Sequence, residues 1–376
     1  MIGIIMKRQQ LALFIGLGLS ALSATTLSTT VLASQASGPQ AVFSQAYQSY
    51  LAAVKADENV QQTAKLAYTS GKAVYGESSD NTADLAINYA KAIKGYGDEL
   101  NEQRFALYDE AHTILAANHG KQSIETVDAL LGKANYTTSA YKAANFLEQV
   151  IGIAKTQNNP KFVADMKLEA ATLLAKKFSS KKYREAKNYL EEADEYYQEN
   201  LPENSLERIK ADFLMASFAE GRKRYNQAIE RLNRIVTVFD SNLNFDHSAE
   251  LTAHSKLVGL YEKQGKSEEA TKHCLAIAQM VPWKESQEQT PLYRVNPKYP
   301  VNKARFSTDG SVVMEFEVDA AGFVKNPKVL SSEGGSAFEK SAKAALEQWR
   351  YAPKFENGKP VSAISQVQLD FKINRH

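Results

Sequence analysis

The stretch "NPKYPVNKARFSTDGSVVMEF", Asn296 to Phe316, is where the chain changes character. Pro297 and Pro300 come close together, a basic turn follows, and then apolar and polar residues alternate strictly. Val312, Met314, Phe316 and Val318 fall on one side; Val313, Glu315, Glu317 and Asp319 fall on the other. A period of two is the signature of a half-buried strand. Upstream, from about Gln40 to Met280, proline is scarce, and apolar residues recur at helical spacing, as in "FLMASFAEGRKRYNQAIERLNRIV". The sequence therefore predicts an α+β multidomain chain. Residues 1–33 form a leader, 40–280 a helical repeat domain, 281–296 a linker and 297–376 a small mixed domain.

Beyond the first strand, "AAG" at Ala320 to Gly322 reads as a turn and "FVKNPKVLSS" as a second strand. Pro327 cannot donate to a ladder, so it argues for an edge or a bulge there. In "SAFEKSAKAALEQW", Ser336 and Glu339 have the spacing of a capping box. Phe338, Ala342, Ala345, Leu346 and Trp349 share one helical face, and Pro353 ends the helix. "ENGK" supplies an Asn-Gly turn. The longest strand, "VSAISQVQLDFKI", then alternates through Val361, Ala363, Ser365, Val367, Leu369, Phe371 and Ile373. The expected order is β-β-α-β, with one helix covering one face of a small sheet.

In the helical region, "YKAANFLEQ", "YREAKNYLEEA", "YNQAIERLNRI" and "SEEATKHCLAI" align, and Ala144, Ala186, Ala228 and Ala270 recur every 42 residues. Ala64 and Ala106 extend the series at the same spacing, with one shorter step before Ala144. A small residue there lets two helices approach closely, and Tyr141, Tyr183 and Tyr225 are expected to pack against the neighbouring helix. "LVGLYEKQGKSEEA", Leu257 to Ala270, resembles the tetratricopeptide repeat (TPR) in its longer, kinesin-light-chain-like form. Such units stack into a solenoid with a concave face. That face implies a protein or peptide ligand that the sequence does not identify, or else a spacer or dimerisation surface.

The C-terminal region resembles the TonB C-terminal domain. The resemblance rests on Pro297, Tyr299, Pro300 and Gly310, then "VDAAGFVKNPKVLSS", "FEKSAKAALEQWRYAP" and "NGKPV", in order and at fitting spacing. It implies a periplasmic TonB-family protein. Such a protein would bind outer-membrane transporters of iron chelates or similar nutrients and take part in their energy-coupled uptake. The implied partner is the transporter's N-terminal box peptide, added as a strand to the sheet edge. By the same analogy the edge is the last strand, with Ser362, Ile364, Gln366, Gln368 and Asp370 on the face opposite the helix. Arg294, Asn296, Pro297 and Tyr299 match the family region beside the transporter. Inner-membrane proton-motor proteins are a further implied partner. However, the apolar run Leu11 to Leu32 contains no histidine, and no proline-rich rod precedes the domain. These departures leave open a second reading, a periplasmic TPR scaffold or adaptor of an envelope complex without energy transduction.

Composition narrows the classes further. The 376-residue chain has a net charge of +2 with its charges interspersed, so there is no basic stripe for nucleic acid. A single cysteine, Cys274, allows no internal disulfide and no thiolate metal site. It reads as a small core residue. His247 and His254 stand seven apart with no evident third metal ligand, and the sequence shows no nucleophile paired with a base. No catalytic residue, metal or cofactor is expected. At the N-terminus, "MKRQQ", the apolar run from Leu11 and the small residues around Val31 and Ala33 have the layout of a secretory signal peptide. A retained inner-membrane anchor over residues 11–32 is the alternative. Both readings put the rest of the chain in the periplasm.

Overall fold

Small side chains set the spacing of the helices in the N-terminal region. The computed structural model describes residues 38–242, 247–281 and 289–373, so the leader lies outside the described residues. The helices are α1 (Pro39–Ala56), α2 (Val60–Tyr75), α3 (Asp80–Ala92), α4 (Asp98–His119), α5 (Val127–Tyr136) and α6 (Ala140–Thr156). They continue with α7 (Pro160–Asn200), α8 (Leu206–Gly221), α9 (Tyr225–Asn242), α10 (Ser248–Lys263) and α11 (Ser267–Met280). Each packs mainly against its neighbours in sequence, which is the connectivity of a solenoid. The starts are set locally. Ser79, Ser139, Asn159 and Ser205 cap α3, α6, α7 and α8 through side-chain oxygens, and Pro160 occupies the first turn of α7.

The 41-residue α7 is two helices in one. Phe178 and Lys182 leave helical geometry, and the chain doubles back between them. Tyr197 Oη donates to Asp165 at 2.9 Å, and Leu168 packs in one cluster with Leu190 and Ala193. Among the described residues the helices thus form six stacked pairs. Polar ties recur between units. Lys263 Nζ reaches Glu220 at 2.7 Å, Arg222 Nε donates to Tyr183 Oη at 2.8 Å, and Asn118 Nδ2 donates to the Ser78 carbonyl at 2.9 Å.

Ala64, Ala144, Ala186, Ala228 and Ala270 are all buried near the starts of second helices, as the spacing requires. Ala106 is exposed. Two residues earlier, Arg104 is 5% exposed and donates to the carbonyls of Ile93 and Gly95, both at 2.8 Å. The guanidinium thereby ties α4 to the loop that precedes it. The tyrosine expectation also needs correction at one site. Tyr183 packs on Phe218 at 5.0 Å and Tyr225 is half-buried, but Tyr141 is 78% exposed, with Lys182 Nζ 4.8 Å from its ring.

After a short helix α12 (Val301–Arg305) come β1 (Gly310–Val318), β2 (Val324–Glu333), helix α13 (Ser336–Leu346), a hairpin β3 (Lys354–Glu356) and β4 (Lys359–Val361), and finally β5 (Ala363–Phe371). The main sheet is antiparallel in the order β2-β1-β5. β2 is an edge strand, and its ladder with β1 is bulged around Asn326 and Pro327, where the missing proline donor is tolerated. Asn357 and Gly358 both take positive φ, 51° and 72°, as a two-residue hairpin turn needs. Phe338, Ala342 and Leu346 of α13 pack on Val312, Met314, Phe316, Val367 and Leu369, with Trp349 and Tyr351 closing the core. The expected capping box does not form. Gly335, at φ 96°, is the N-cap, so Ser336 is already helical, and Glu339 instead accepts from Ser332 Oγ.

Candidate functional site

Strand β5 pairs with β1 along its whole length, from Ala363↔Val318 to Phe371↔Gly310. Among the described residues no strand pairs with its other edge. The strand's alternation fixes its orientation. Ser365, Val367, Leu369 and Phe371 are buried toward α13, while Ile364, Gln366, Gln368 and Asp370 are exposed on the opposite sheet face. Ile364 is 63% exposed, a high value for a β-branched apolar residue. Gln366 Nε2 lies 3.3 Å from Glu315, and Gln368 Nε2 donates to Asp370 at 2.8 Å. Ser362 sits in the junction between β4 and β5 and is exposed. At the Phe371 end, Asp309, Ser311, Ser331, Glu333, Gln368 and Asp370 line a shallow polar groove.

An edge of this kind presents unpaired N–H and C=O groups at the spacing of a partner strand. Proteins usually blunt such edges; β5 carries no proline, no lysine and no bulge, and its single charged residue, Asp370, stands next to its end. Its rigidity comes from the core beneath, where Phe371 packs on Phe338 at 4.6 Å.

The stretch from Arg294 to Tyr299 lies along α13. Trp349 Nε1 donates to the Val295 carbonyl at 2.8 Å, and Ser341 Oγ donates to the Lys298 carbonyl. Tyr299 sits edge-on to Phe338 and Phe371, at 5.5 and 5.9 Å, and its hydroxyl donates to the Thr308 carbonyl at 2.7 Å. Tyr299 is therefore brought under the end of β5. Arg294 instead lies over the Trp349 ring at 5.7 Å, and Asn296 is exposed beside the half-buried Pro297. Ile364, Gln366, Gln368 and Asp370 belong to the strand itself, and of Arg294, Asn296, Pro297 and Tyr299 it is Tyr299 that meets it, at Phe371.

Sequence reasoning passed over Arg350. It is 1% exposed, and its side chain leaves the C-terminal domain to meet Glu262, Thr271 and Cys274 of the solenoid. Its signal was present as an arginine amid the aromatic and apolar residues of "WRYAP". His247 stacks on Phe239 at 5.0 Å, whereas His254 Nδ1 lies 2.8 Å from Nδ1 of His273. Among the described residues no group of three or more His, Cys, Asp or Glu side chains is placed to hold a metal. Also among them, no helix is long and apolar enough to cross a membrane.

Residues 295–373 match the family model for the Gram-negative bacterial TonB protein C-terminal. Over 83 residues, 22% of this chain, the sequence is 36% identical to protein TonB of Salmonella typhimurium and 39% identical to protein TonB of Escherichia coli K12. The match spans about a third of those proteins, 32% and 33% of their lengths. The C-terminal domain is thus of TonB C-terminal type. Among solved structures, the Podosopora anserina kinesin light chain with nearly identical TPR-like repeats superposes at a TM-score of 0.44 with 17% identity, over 53% of this chain and 92% of that one. BtubC (BKLC) from P. vanneervenii gives 0.37 with 13% identity, over 67% and 98%.

Proposed function

We propose that the C-terminal domain captures an extended peptide along the open edge of β5, and that this peptide is the N-terminal box of an outer-membrane TonB-dependent transporter. In this reading the chain works in the periplasm and takes part in energy-coupled uptake of iron chelates or similar nutrients. The observation that carries the reading is the open edge of a strand locked into the core of a TonB-type domain. Main-chain hydrogen bonds would supply affinity with little demand on peptide sequence. Ile364, Gln366, Gln368 and Asp370 would flank the bound strand on the open face, and Tyr299 would brace its end through Phe371. Pulled along its axis, such a strand loads all its hydrogen bonds in parallel, which suits it to bearing tension.

The solenoid offers a second surface for a protein or peptide partner. Six stacked pairs in place of an extended rod favour an adaptor role alongside force transmission. The test is calorimetric titration of the full chain with synthetic box peptides, each with a version N-methylated at alternate amides. Binding should occur, and methylation of the residues facing β5 should abolish it while methylation of the intervening residues should not. Failure of every box peptide to bind, or indifference to methylation, would end the strand-capture reading.

A further inference from the structure

We infer that the C-terminal domain is the terminal cap of the solenoid, locked onto α10 and α11 by Arg350, so that the helical repeat and the β5 edge form one body. A solenoid ends stably only where its last repeat turns a polar face outward or is covered. Here one side of the last pair is apolar: Val258, Ala270, Cys274 and Ile277 form a buried cluster, and Leu292, Tyr293 and Ala352 pack against it together with Leu251 and Tyr261 of the solenoid. The covering segment is itself fastened to the C-terminal domain. Leu292 N donates to the Arg350 carbonyl at 2.8 Å, and Arg350 N donates to the Tyr293 carbonyl at 3.0 Å.

Arg350 is the key in this lock. Its guanidinium stacks on Phe323 of its own domain, 3.7 Å from the ring centroid, and Nη2 donates to the Ala321 carbonyl at 2.8 Å. The same Nη2 donates to Thr271 Oγ1 of α11 at 2.8 Å and lies 3.7 Å from Cys274 Sγ. Nη1 forms an ion pair with Glu262 of α10, whose other carboxylate oxygen accepts from Ser267 Oγ at 2.9 Å. The Arg350 and Glu262 side chains are 1% and 11% exposed. A desolvated pair of this kind is costly to leave with one member missing, so it favours the docked arrangement over any half-open one. Gly322 completes the fit. It holds φ +84° in the β1–β2 turn, and a Cβ there would run into the Tyr351 carbonyl and come within 3.5 Å of Cys274 Cβ.

One consequence concerns load. Tension on a strand held at β5 would cross β1 and reach the β1–β2 turn, then pass through the Ala321 carbonyl and Arg350 to Glu262 and α10. The solenoid would share the load with the covalent connection between α11 and residue 289. The docking itself does not depend on which peptide β5 takes, or on its taking one.

Cys274 is the sole cysteine of the chain, and it lies at the lock. Burial pushes its thiol up to about 11, against the opposing pull of Arg350. Its reaction with Ellman's reagent in the full-length protein therefore reports opening of the interface. The wild-type thiol should react far more slowly than in the denatured chain. Glu262→Gln should speed the reaction on the order of tenfold or more, and Thr271→Val by a few-fold, with far-UV circular dichroism unchanged. If Glu262→Gln itself loses helical signal, Thr271→Val decides by the same criterion. A wild-type thiol as reactive as the denatured one, or folded variants that react at the wild-type rate, would overturn the inference.

Discussion

The solenoid is assembled around small side chains and the C-terminal domain around large ones. Ala186, Ala228 and Ala270 are fully buried where helices cross, with cores divided among several neighbouring clusters. Trp349, Tyr351, Phe316 and Phe338 instead fill a single core between one helix and three strands. In the first arrangement stability is a sum of nearest-neighbour terms, so damage stays local. In the second, about 80 residues depend on one cluster, near the lower size at which a core supports itself. The lesson is that the two regions should fail differently under the same insult, and four changes would break or sharpen that contrast.

The largest effect should come from Phe338→Ala. It removes a fully buried ring that touches both Tyr299 and Phe371, at a cost of about 3–5 kcal/mol. Near-UV circular dichroism of the domain should collapse, while hydrogen exchange in the helices accelerates only in α10 and α11. Acceleration throughout the solenoid would make the chain a single cooperative unit and erase the contrast. Leu147→Ala, at a fully buried site in α6, should cost about 2–4 kcal/mol. Its faster exchange should be confined to α5, α6 and α7 and leave β1 and β5 untouched.

Acid should separate the regions by a smaller step. Burial lowers the proton affinity of His112, His254 and His273, with His273 brought down to about 4 from an ordinary 6.5. His254 and Lys272 add to the effect at His273, while Asp240 opposes it at His254. The unfolded imidazole binds its proton first as pH falls. The solenoid is therefore at full stability above about pH 6.5 and loses it progressively toward pH 4. Residues 289–373 contain no histidine, so this mechanism is absent there. Thermal melts followed at 222 nm and in the near-UV across that range should show the helical transition falling first. The smallest effect should be that of Lys263→Gln, which breaks the half-exposed pair with Glu220. Urea titration should register no more than about 1 kcal/mol.

Much of the fold is legible in the chain because periodic burial writes itself into sequence. The 42-residue recurrence marked the helix pairs, the alternation of β5 marked its two faces, and Asn357-Gly358 marked a hairpin. Single contacts leave no such trace. Ala106 is exposed while Arg104 is buried on loop carbonyls, which no spacing rule anticipates. Two glycines displaced the α13 cap from Ser336. At the site, the outward faces of Ile364 to Asp370 follow from alternation, but Tyr299 bracing Phe371 depends on a fold-back across α13. The ion pair of Arg350 with Glu262 joins residues 88 positions apart; the arginine stands out among its apolar neighbours, but nothing local names its partner.

Strand capture at β5 is tested most directly by hydrogen exchange of the full chain, measured by mass spectrometry with and without a transporter box peptide. Exchange across residues 363–371 should slow on binding, because amides on the open edge gain partners. Unchanged exchange in that segment at saturating peptide, or protection confined to the solenoid, would contradict it.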